Sequence, residues 1–339
     1  MKKILLLLLM IILLGGAWGA YKIFGPTVKQ PAEKYFYVHS GSTYNAVLDS
    51  LRANGIINND TWFNLVAKQL KYKTIKPGKY EINKGMSIFN LVRMLRNGRV
   101  SPVNFTIVKL RTREDFARRV GREFETDSTR MINFLNNADS LKAFGVDTAT
   151  WATLIIPATY TYKWNSTPNM IMEKLQAENK RFWTDERRLK LANNFLDEKQ
   201  AYTLASIIEE ETNKKEDKGK IASVYINRMK NNMPLQADPT IKFALRDFGI
   251  KRIYEKYLFV ESPYNTYVNK GLPPGPICTP SGETLEEVIN APKTEYIYFV
   301  ANSDLHGGSV FTSNYNDHMK YAKLYQHALD EQDSIRRSK

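Results

Sequence analysis

The feature that most restricts this chain lies at its start. Lys2 and Lys3 are followed by residues 4–14, eleven positions drawn only from Leu, Ile and Met, and the uncharged stretch continues through Trp18 and Tyr21 to Lys22. Those eighteen uncharged residues reach the ~17–25 that a helix needs to cross bilayer hydrocarbon. The two lysines favour the cytoplasmic side, and Trp18 and Tyr21 suit the far interface. Ala17-Trp18-Gly19 is also a small-x-small tripeptide that signal peptidase accepts, so a cleaved signal peptide is the competing reading. Spanning length favours an uncleaved, single-pass anchor over residues 1–24, with a cytoplasmic N-terminus and an extracytoplasmic body. In either reading the folded part leaves the cytoplasm.

Export also interprets the charge. Forty-nine basic against thirty-five acidic residues leave +14, which suits nucleic acid, phospholipid headgroups or an acidic polymer. Outside the cytoplasm nucleic acid drops out. At 339 residues and ~100–200 residues per domain, two or three units are expected. Cys278 is the one cysteine, so no intramolecular disulfide closes, and His39, His306, His318 and His327 show no zinc-ligand spacing. Neither a metal nor another cofactor is expected.

Residues 25–34, with Pro26 and Pro31, read as a spacer before folding begins near Tyr35. The first folded segment contains a repeat. Phe36-Tyr-Val-His-Ser-Gly41-Ser-Thr-Tyr44 with Val47 and Leu48 aligns with Tyr80-Glu-Ile-Asn-Lys-Gly85-Met-Ser-Ile88 with Leu91 and Val92. Each copy predicts a short strand, a glycine turn and a helix capped by the Ser or Thr after the glycine. A weaker third copy starts at Phe105-Thr-Ile107, with its helix over 111–120. Tyr37-x-x-x-Gly41-Ser-Thr before a hydrophobic helix resembles the LysM module, a sugar-polymer-binding unit of cell-wall proteins. A βα packing unit without a ligand is the equal alternative.

The chemistry is expected in Ala201-Tyr-Thr-Leu-Ala-Ser-Ile-Ile-Glu-Glu-Glu-Thr212. At ~100° per residue Leu204, Ile207, Ile208 and Glu211 share one helical face, which leaves Glu209 and Glu210 turned toward water. A carboxyl backed by aliphatic side chains has its charged form disfavoured, the condition for a general acid near neutral pH. The alternative is a structural glutamate paired with a base. Arg228 is the candidate, because it shares a face with Ile221, Val224 and Tyr225 in the next predicted helix.

Several motifs then occur in a consistent order: Leu204-Ala-Ser-Ile-Ile-Glu-Glu-Glu-Thr212, Ile221-Ala-Ser-Val-Tyr-Ile-Asn-Arg-Met229, Leu235-Gln-Ala-Asp-Pro-Thr240, Ser262-Pro-Tyr-Asn-Thr-Tyr267, Gly271-Leu-Pro-Pro-Gly-Pro-Ile277 and Asp317-His318. With Ile156-Pro-Ala-Thr-Tyr160 upstream, they make the chain resemble the endolytic murein transglycosylase family, the MltG or YceG-like proteins, over nearly its whole length. The resemblance implies cleavage of peptidoglycan glycan strands between N-acetylmuramic acid and N-acetylglucosamine, with 1,6-anhydro ends, on nascent strands beside peptidoglycan synthases at the inner membrane. It places the catalytic acid immediately before a Ser or Thr, hence at Glu211 before Thr212, the residue the helical wheel also selects. Gln236, Asp238, Tyr264, Asn265, Tyr267 and Tyr160 become candidate substrate-binding residues, and Thr212 and Arg228 supporting ones.

Other readings of the same residues stay open. Asp238 before Pro239 equally suits a helix cap, and the tyrosines beside prolines equally suit loop packing. Gly271 to Pro276 must form a rigid, non-helical loop that suits a cleft wall. Two departures from the family pattern stand out: Ser309 occupies the place of an expected histidine, and Glu210 that of a lysine. A non-catalytic wall-binding scaffold and a hydrolytic muramidase with Asp238 as second carboxylate are the rival functions.

The expected fold class is α+β: anchor 1–24, spacer 25–34, LysM-like subdomain 35–100, an intermediate region 101–195 packing on the catalytic domain, catalytic domain 196–330 and polar tail 331–339.

Overall fold

The computed structural model describes residues 2–250 and 252–337, and positions 338–339 of the expected polar tail lie outside the described residues. The chain is mixed α and β, with small antiparallel sheets and a long apolar helix at the N-terminus. Its contacts divide it into two compact units. One comprises Met1–Phe105, Val120–Asp127 and Tyr160–Thr167, the other Thr106–Arg119, Ser128–Thr159 and Pro168–Lys339.

The elements run in the order α1 (Lys2–Phe24), β1 (Tyr35–Val38), α2 (Tyr44–Ala53), α3 (Asp60–Gln69), β2 (Gly78–Glu81), α4 (Ile88–Asn97), β3 (Pro102–Thr106), α5 (Arg113–Glu123), α6 (Ser128–Asn136) and α7 (Ala138–Lys142). The chain continues through β4 (Thr159–Lys163), α8 (Pro168–Phe182), α9 (Asp185–Ala192), α10 (Glu198–Glu211), α11 (Lys215–Lys230), α12 (Asp238–Leu245), α13 (Gly282–Ile289), β5 (Tyr298–Ala301), β6 (Ser309–Thr312) and α14 (Tyr315–Arg337).

In the first unit α1 is long and apolar enough to cross a membrane, with none of its residues buried by protein. Its C-terminal end meets the folded body: Trp18 lies edge-on to Trp62 at 5.4 Å, and Phe24 packs on Phe89 at 5.3 Å. The spacer residue Val28 is buried, and its N–H donates to the Met86 carbonyl. The two copies of the repeat fold alike. Thr43 caps α2 by accepting from the Ala46 N–H, and Ser87 caps α4 by accepting from that of Asn90. Gly41 and Gly85 take φ of 80° and 83°, a turn that disfavours side chains. Strand β1 pairs antiparallel with β2, Phe36 opposite Tyr80, over a core that includes Leu51, Phe63, Ile82, Leu91 and Leu95. The third segment also begins with a strand and a helix, β3 and α5, and β3 pairs with β4.

The second unit is built around α10, which begins on a capping box between Asp197 and Gln200. Residues 201–208 are all buried, because α9, α11, α12 and α13 all pack against this helix. A helix apolar on every side belongs in a core. The Tyr202 hydroxyl donates to the Ile155 carbonyl at 2.5 Å, and the Ser206 hydroxyl accepts from the Ile277 N–H at 3.0 Å. Loop 271–276 contains no helix. A Cβ on Gly275 would lie 2.1 Å from the Ala149 carbonyl oxygen, so only glycine permits that approach. Cys278, next in this segment, is buried, and burial raises its thiol pKa well above the ordinary value.

Candidate active site

Three consecutive glutamates end α10, and packing gives each a different fate. Glu209 accepts hydrogen bonds from the Ser281 and Thr284 hydroxyls and lies 3.5 Å from the Lys218 ammonium. Burial works against its charge, but those hydroxyls and Lys218 together hold its pKa below the ordinary value. Glu210 takes a bidentate pair from the Arg111 guanidinium, 2.9 Å on each oxygen, with Lys109 at 3.5 Å. Neither is turned to water as the helical wheel expects. The wheel assumes one solvated face, whereas α10 is packed on all sides and its off-stripe carboxylates meet cations brought by distant segments.

Glu211 forms no ion pair among the described residues. Its Oε1 accepts a hydrogen bond of 2.6 Å from the Tyr225 hydroxyl, across the α10–α11 interface. Burial pushes its carboxyl up to about 7, against the Tyr225 hydrogen bond; the charge on Asp238 adds to the rise, while Lys242 and Arg228 pull back. The position reinforces this, because Glu211 is the last residue of α10, where the negative end of the helix dipole disfavours an anion. Thr212 ends the helix by turning extended, φ −145° and ψ 144°, and its Oγ1 accepts from the Lys214 N–H. The Glu211 side chain keeps some contact with solvent.

Arg228 is not the ion-pair partner expected for Glu211. Its Nε donates to the Ile297 carbonyl at 2.7 Å, and its Nη1 to the carbonyl of Leu235 at 2.8 Å, with Gln236 Oε1 at 3.4 Å. The guanidinium also lies over the Tyr298 ring at 5.3 Å. Arg228 therefore pins loop 234–236 and the segment entering β5. Burial pulls its pKa down, and it acts on Glu211 only through space.

The remaining candidates separate. Asp238 is exposed and accepts from the Tyr267 hydroxyl at 2.5 Å. It is not the cap of α12: Ala237 holds that position without a side-chain bond. Gln236, also exposed, adopts φ 53°, and its N–H donates to the Thr266 carbonyl. Tyr264 is partly exposed and packs on Phe243 at 4.7 Å. Asn265 is fully buried: its amide donates to the Leu258 and Val260 carbonyls, and its Oδ1 accepts from the Tyr267 N–H. That side chain organises the loop carrying Tyr267 and is not available to a sugar. Tyr160 is 3% exposed in β4, which removes it from a surface-binding role. Ser309 opens β6 opposite Ala301 in the β5–β6 hairpin.

Sequence reasoning missed Tyr225 as the partner of Glu211, although it lies on the helical face that nominated Arg228. It also missed Lys242, one turn into α12. The ring of His318 stacks on Tyr298 at 5.0 Å, and burial and then Arg228 lower its pKa. Among the described residues no three His, Cys, Asp or Glu side chains gather as a metal-binding group. The arrangement provides a carboxyl with a pKa of about 7 near exposed Asp238, which is bonded to the half-buried Tyr267, and this suits proton transfer.

Comparison with known proteins adds independent findings. A family model described as the YceG-like family matches residues 36–324. The endolytic murein transglycosylase of Bacillus subtilis (strain 168) is 29% identical over 340 positions, spanning 94% of this chain and 92% of that protein. A protein of the same name from Streptococcus pneumoniae (D39) is 29% identical over 90% of this chain, which spans 61% of that longer relative. Among solved structures, the 2.6 Å crystal structure of a YceG-like protein from Listeria monocytogenes shares 29% identity with a TM-score of 0.55, covering 85% of this chain and 99% of that one.

Proposed function

The chain belongs to the YceG-like family, and from that membership together with the Glu211 carboxyl we propose that it is a lytic transglycosylase that cuts peptidoglycan glycan strands internally. The observation that carries the reading is a carboxyl with a pKa of about 7, bonded to a neutral phenol and without an ion pair among the described residues. The relatives' shared name, endolytic murein transglycosylase, supports the substrate class.

In the proposed reaction protonated Glu211 gives its proton to the glycosidic oxygen as the bond to muramyl C1 breaks. The resulting carboxylate takes a proton from the muramyl 6-hydroxyl, whose oxygen closes on C1. Glu211 ends protonated, no water is consumed, and the new end is a 1,6-anhydro sugar. Tyr225 holds the carboxyl in place and stabilises its ionised form between the two steps. Exposed Asp238 and Gln236, with the half-buried Tyr267, offer hydrogen-bonding groups for sugar hydroxyls, and Tyr264 offers an aromatic face. Thr212 fixes where α10 ends, and Arg228 holds loop 234–236.

By the same proposal the chain comprises an anchor over 1–24 with a cytoplasmic N-terminus, a LysM-like subdomain over 35–100 that holds glycan, and a catalytic domain over 196–330 served by the intermediate region 101–195. A single-pass protein facing outward from the inner membrane meets strands as they are made, beside peptidoglycan synthases. Helix α1, the one helix long and apolar enough among the described residues, supports the anchor. The twofold repeat with matching Thr43 and Ser87 caps supports one sugar-binding module.

A second reading has its own observation. Asp238 lies close enough to raise the Glu211 pKa, and a hydrolytic muramidase needs a second carboxylate at roughly 5–9.5 Å. Digestion of purified glycan in heavy-oxygen water separates the two. Transglycosylation gives anhydro ends one water lighter than hydrolysed ends and without label; labelled reducing ends establish the muramidase, and intact glycan would leave only a scaffold.

A further inference from the structure

Two cavities of the second unit share Arg111, Phe243 and Phe248 as walls. One, of about 140 Å³, is also walled by Arg113, Arg246, Trp151 and Tyr264. The other, of about 130 Å³, is bounded by Glu210, Pro239 and Lys242. Neither Glu211 nor Asp238 lines the second cavity, but their chain neighbours Glu210 and Pro239 do, and so does Lys242, which acts on Glu211 through space.

The charges here do not cancel. Four cations, Arg111, Arg113, Arg246 and Lys242, face one carboxylate, Glu210, and both Glu210 oxygens are already taken by Arg111. Arg113 donates to the neutral amide of Asn136, and Arg246, exposed, forms an ion pair with Glu114 at 3.4 Å. Lys242 is half-buried and has no hydrogen bond or ion pair among the described residues, although it acts through space on Glu211. Asp147, at the start of the turn that supplies Ala149, spends one oxygen on the Ala149 and Thr150 N–H groups and the Thr150 hydroxyl. The walls between the cations are aromatic: Phe243 lies 4.7 Å from Tyr264 and 6.3 Å from Phe248, and Arg111 stacks over Phe248 at 5.1 Å. Arg113 and Lys242 are thus half-buried cations without an ion pair among the described residues, a cost that a ligand's anion would relieve.

Each cavity has the volume of four or five waters at ~30 Å³ apiece, which fits a carboxylate on a short aliphatic arm. The hexose rings of a glycan strand carry no charge at their hydroxyl and acetamido groups; the carboxylates of peptidoglycan sit on the peptide arms of muramic acid. Building on the proposed glycan cleavage, we infer that this paired cavity is a subsite for a free carboxylate of the peptide arm, so that strands bearing such arms are the preferred substrate. Arginine suits this task because its planar fork matches a carboxylate at two points.

The test uses full-length protein in detergent and uncrosslinked strands in two forms, with peptide carboxylates free or blocked as amides. Wild type cleaves the free form with kcat/KM higher by about 10- to 100-fold, the worth of one or two charge-assisted hydrogen bonds. Arg113→Gln combined with Arg246→Gln removes that preference while cleaving the blocked strands at the wild-type rate, which also shows that the variant is folded. A third substrate, amide-blocked but retaining a lipid pyrophosphate end, separates carboxylate from phosphate. Restored preference on that substrate would overturn the carboxylate assignment. Equal kcat/KM on free and blocked strands overturns the subsite while glycan cleavage stands; no cleavage of any strand overturns the function and the subsite together.

Discussion

Replacing Glu211 by Gln tests whether its carboxyl is a proton-holding acid or an ordinary structural anion. Its pKa moves from 4.5 to about 7 on folding, and each unit corresponds to ~1.36 kcal/mol, so the ionised carboxylate costs the native state on the order of 3 kcal/mol. The sign is opposite to that of a salt-bridged carboxylate. Between pH 4.5 and 7 the native state keeps a proton that the unfolded chain releases, so stability declines as pH rises through this window. Below it the cost is absent, and above it the cost is fully developed. Glutamine has the same size, its Oε1 still accepts from Tyr225, and it carries no charge to bury. Thermal unfolding of the full-length protein in detergent at pH 5 should therefore give Glu211→Gln a Tm near wild type. At pH 8.5 the variant should be the more stable, by several degrees at ~2–4 °C per kcal/mol. Glycan cleavage should meanwhile fall by ~10²–10⁴, the usual worth of a general acid. Parallel Tm curves from pH 5 to 8.5, or a variant less stable at pH 8.5, would refute the reasoning.

The neighbours of Glu211 make opposite predictions. Activity that needs the protonated acid declines as pH rises through the Glu211 pKa: Tyr225→Phe removes a bond that lowers this pKa and should move the alkaline limb of kcat/KM up, whereas Asp238→Asn removes a charge that raises it and should move the limb down. Limbs shifting in the same direction would show the causes misassigned. Arg228→Lys strips guanidinium donors from the Ile297 and Leu235 carbonyls and should cost about 1–3 kcal/mol, read as a lower Tm; an unchanged Tm counts against the pinning role. Intact-mass measurement of membrane-extracted protein should find the N-terminal lysines retained, and a chain beginning near Ala20 would rule out the anchor.

Local physics made much of this protein legible as sequence. Apolar length alone marks α1, and the glycine-then-Ser/Thr pattern marks the starts of α2 and α4, because capping involves residues three apart and needs no tertiary partner. Periodicity also selects Glu211, since the spacing of Leu204, Ile207 and Ile208 is a property of one helix. Tertiary structure decided which groups these residues meet. Glu210 is paired with Arg111 from 99 positions away, Glu209 with hydroxyls at the start of α13, and Arg228 with backbone carbonyls instead of Glu211. Asn265, polar and beside two tyrosines, reads like a sugar ligand until its burial shows every polar atom used within its own loop. A helical wheel gives direction but not what lies in that direction. The pKa of Glu211 depends on the latter, because desolvation and the Tyr225 hydroxyl exist only once α10 and α11 are packed together.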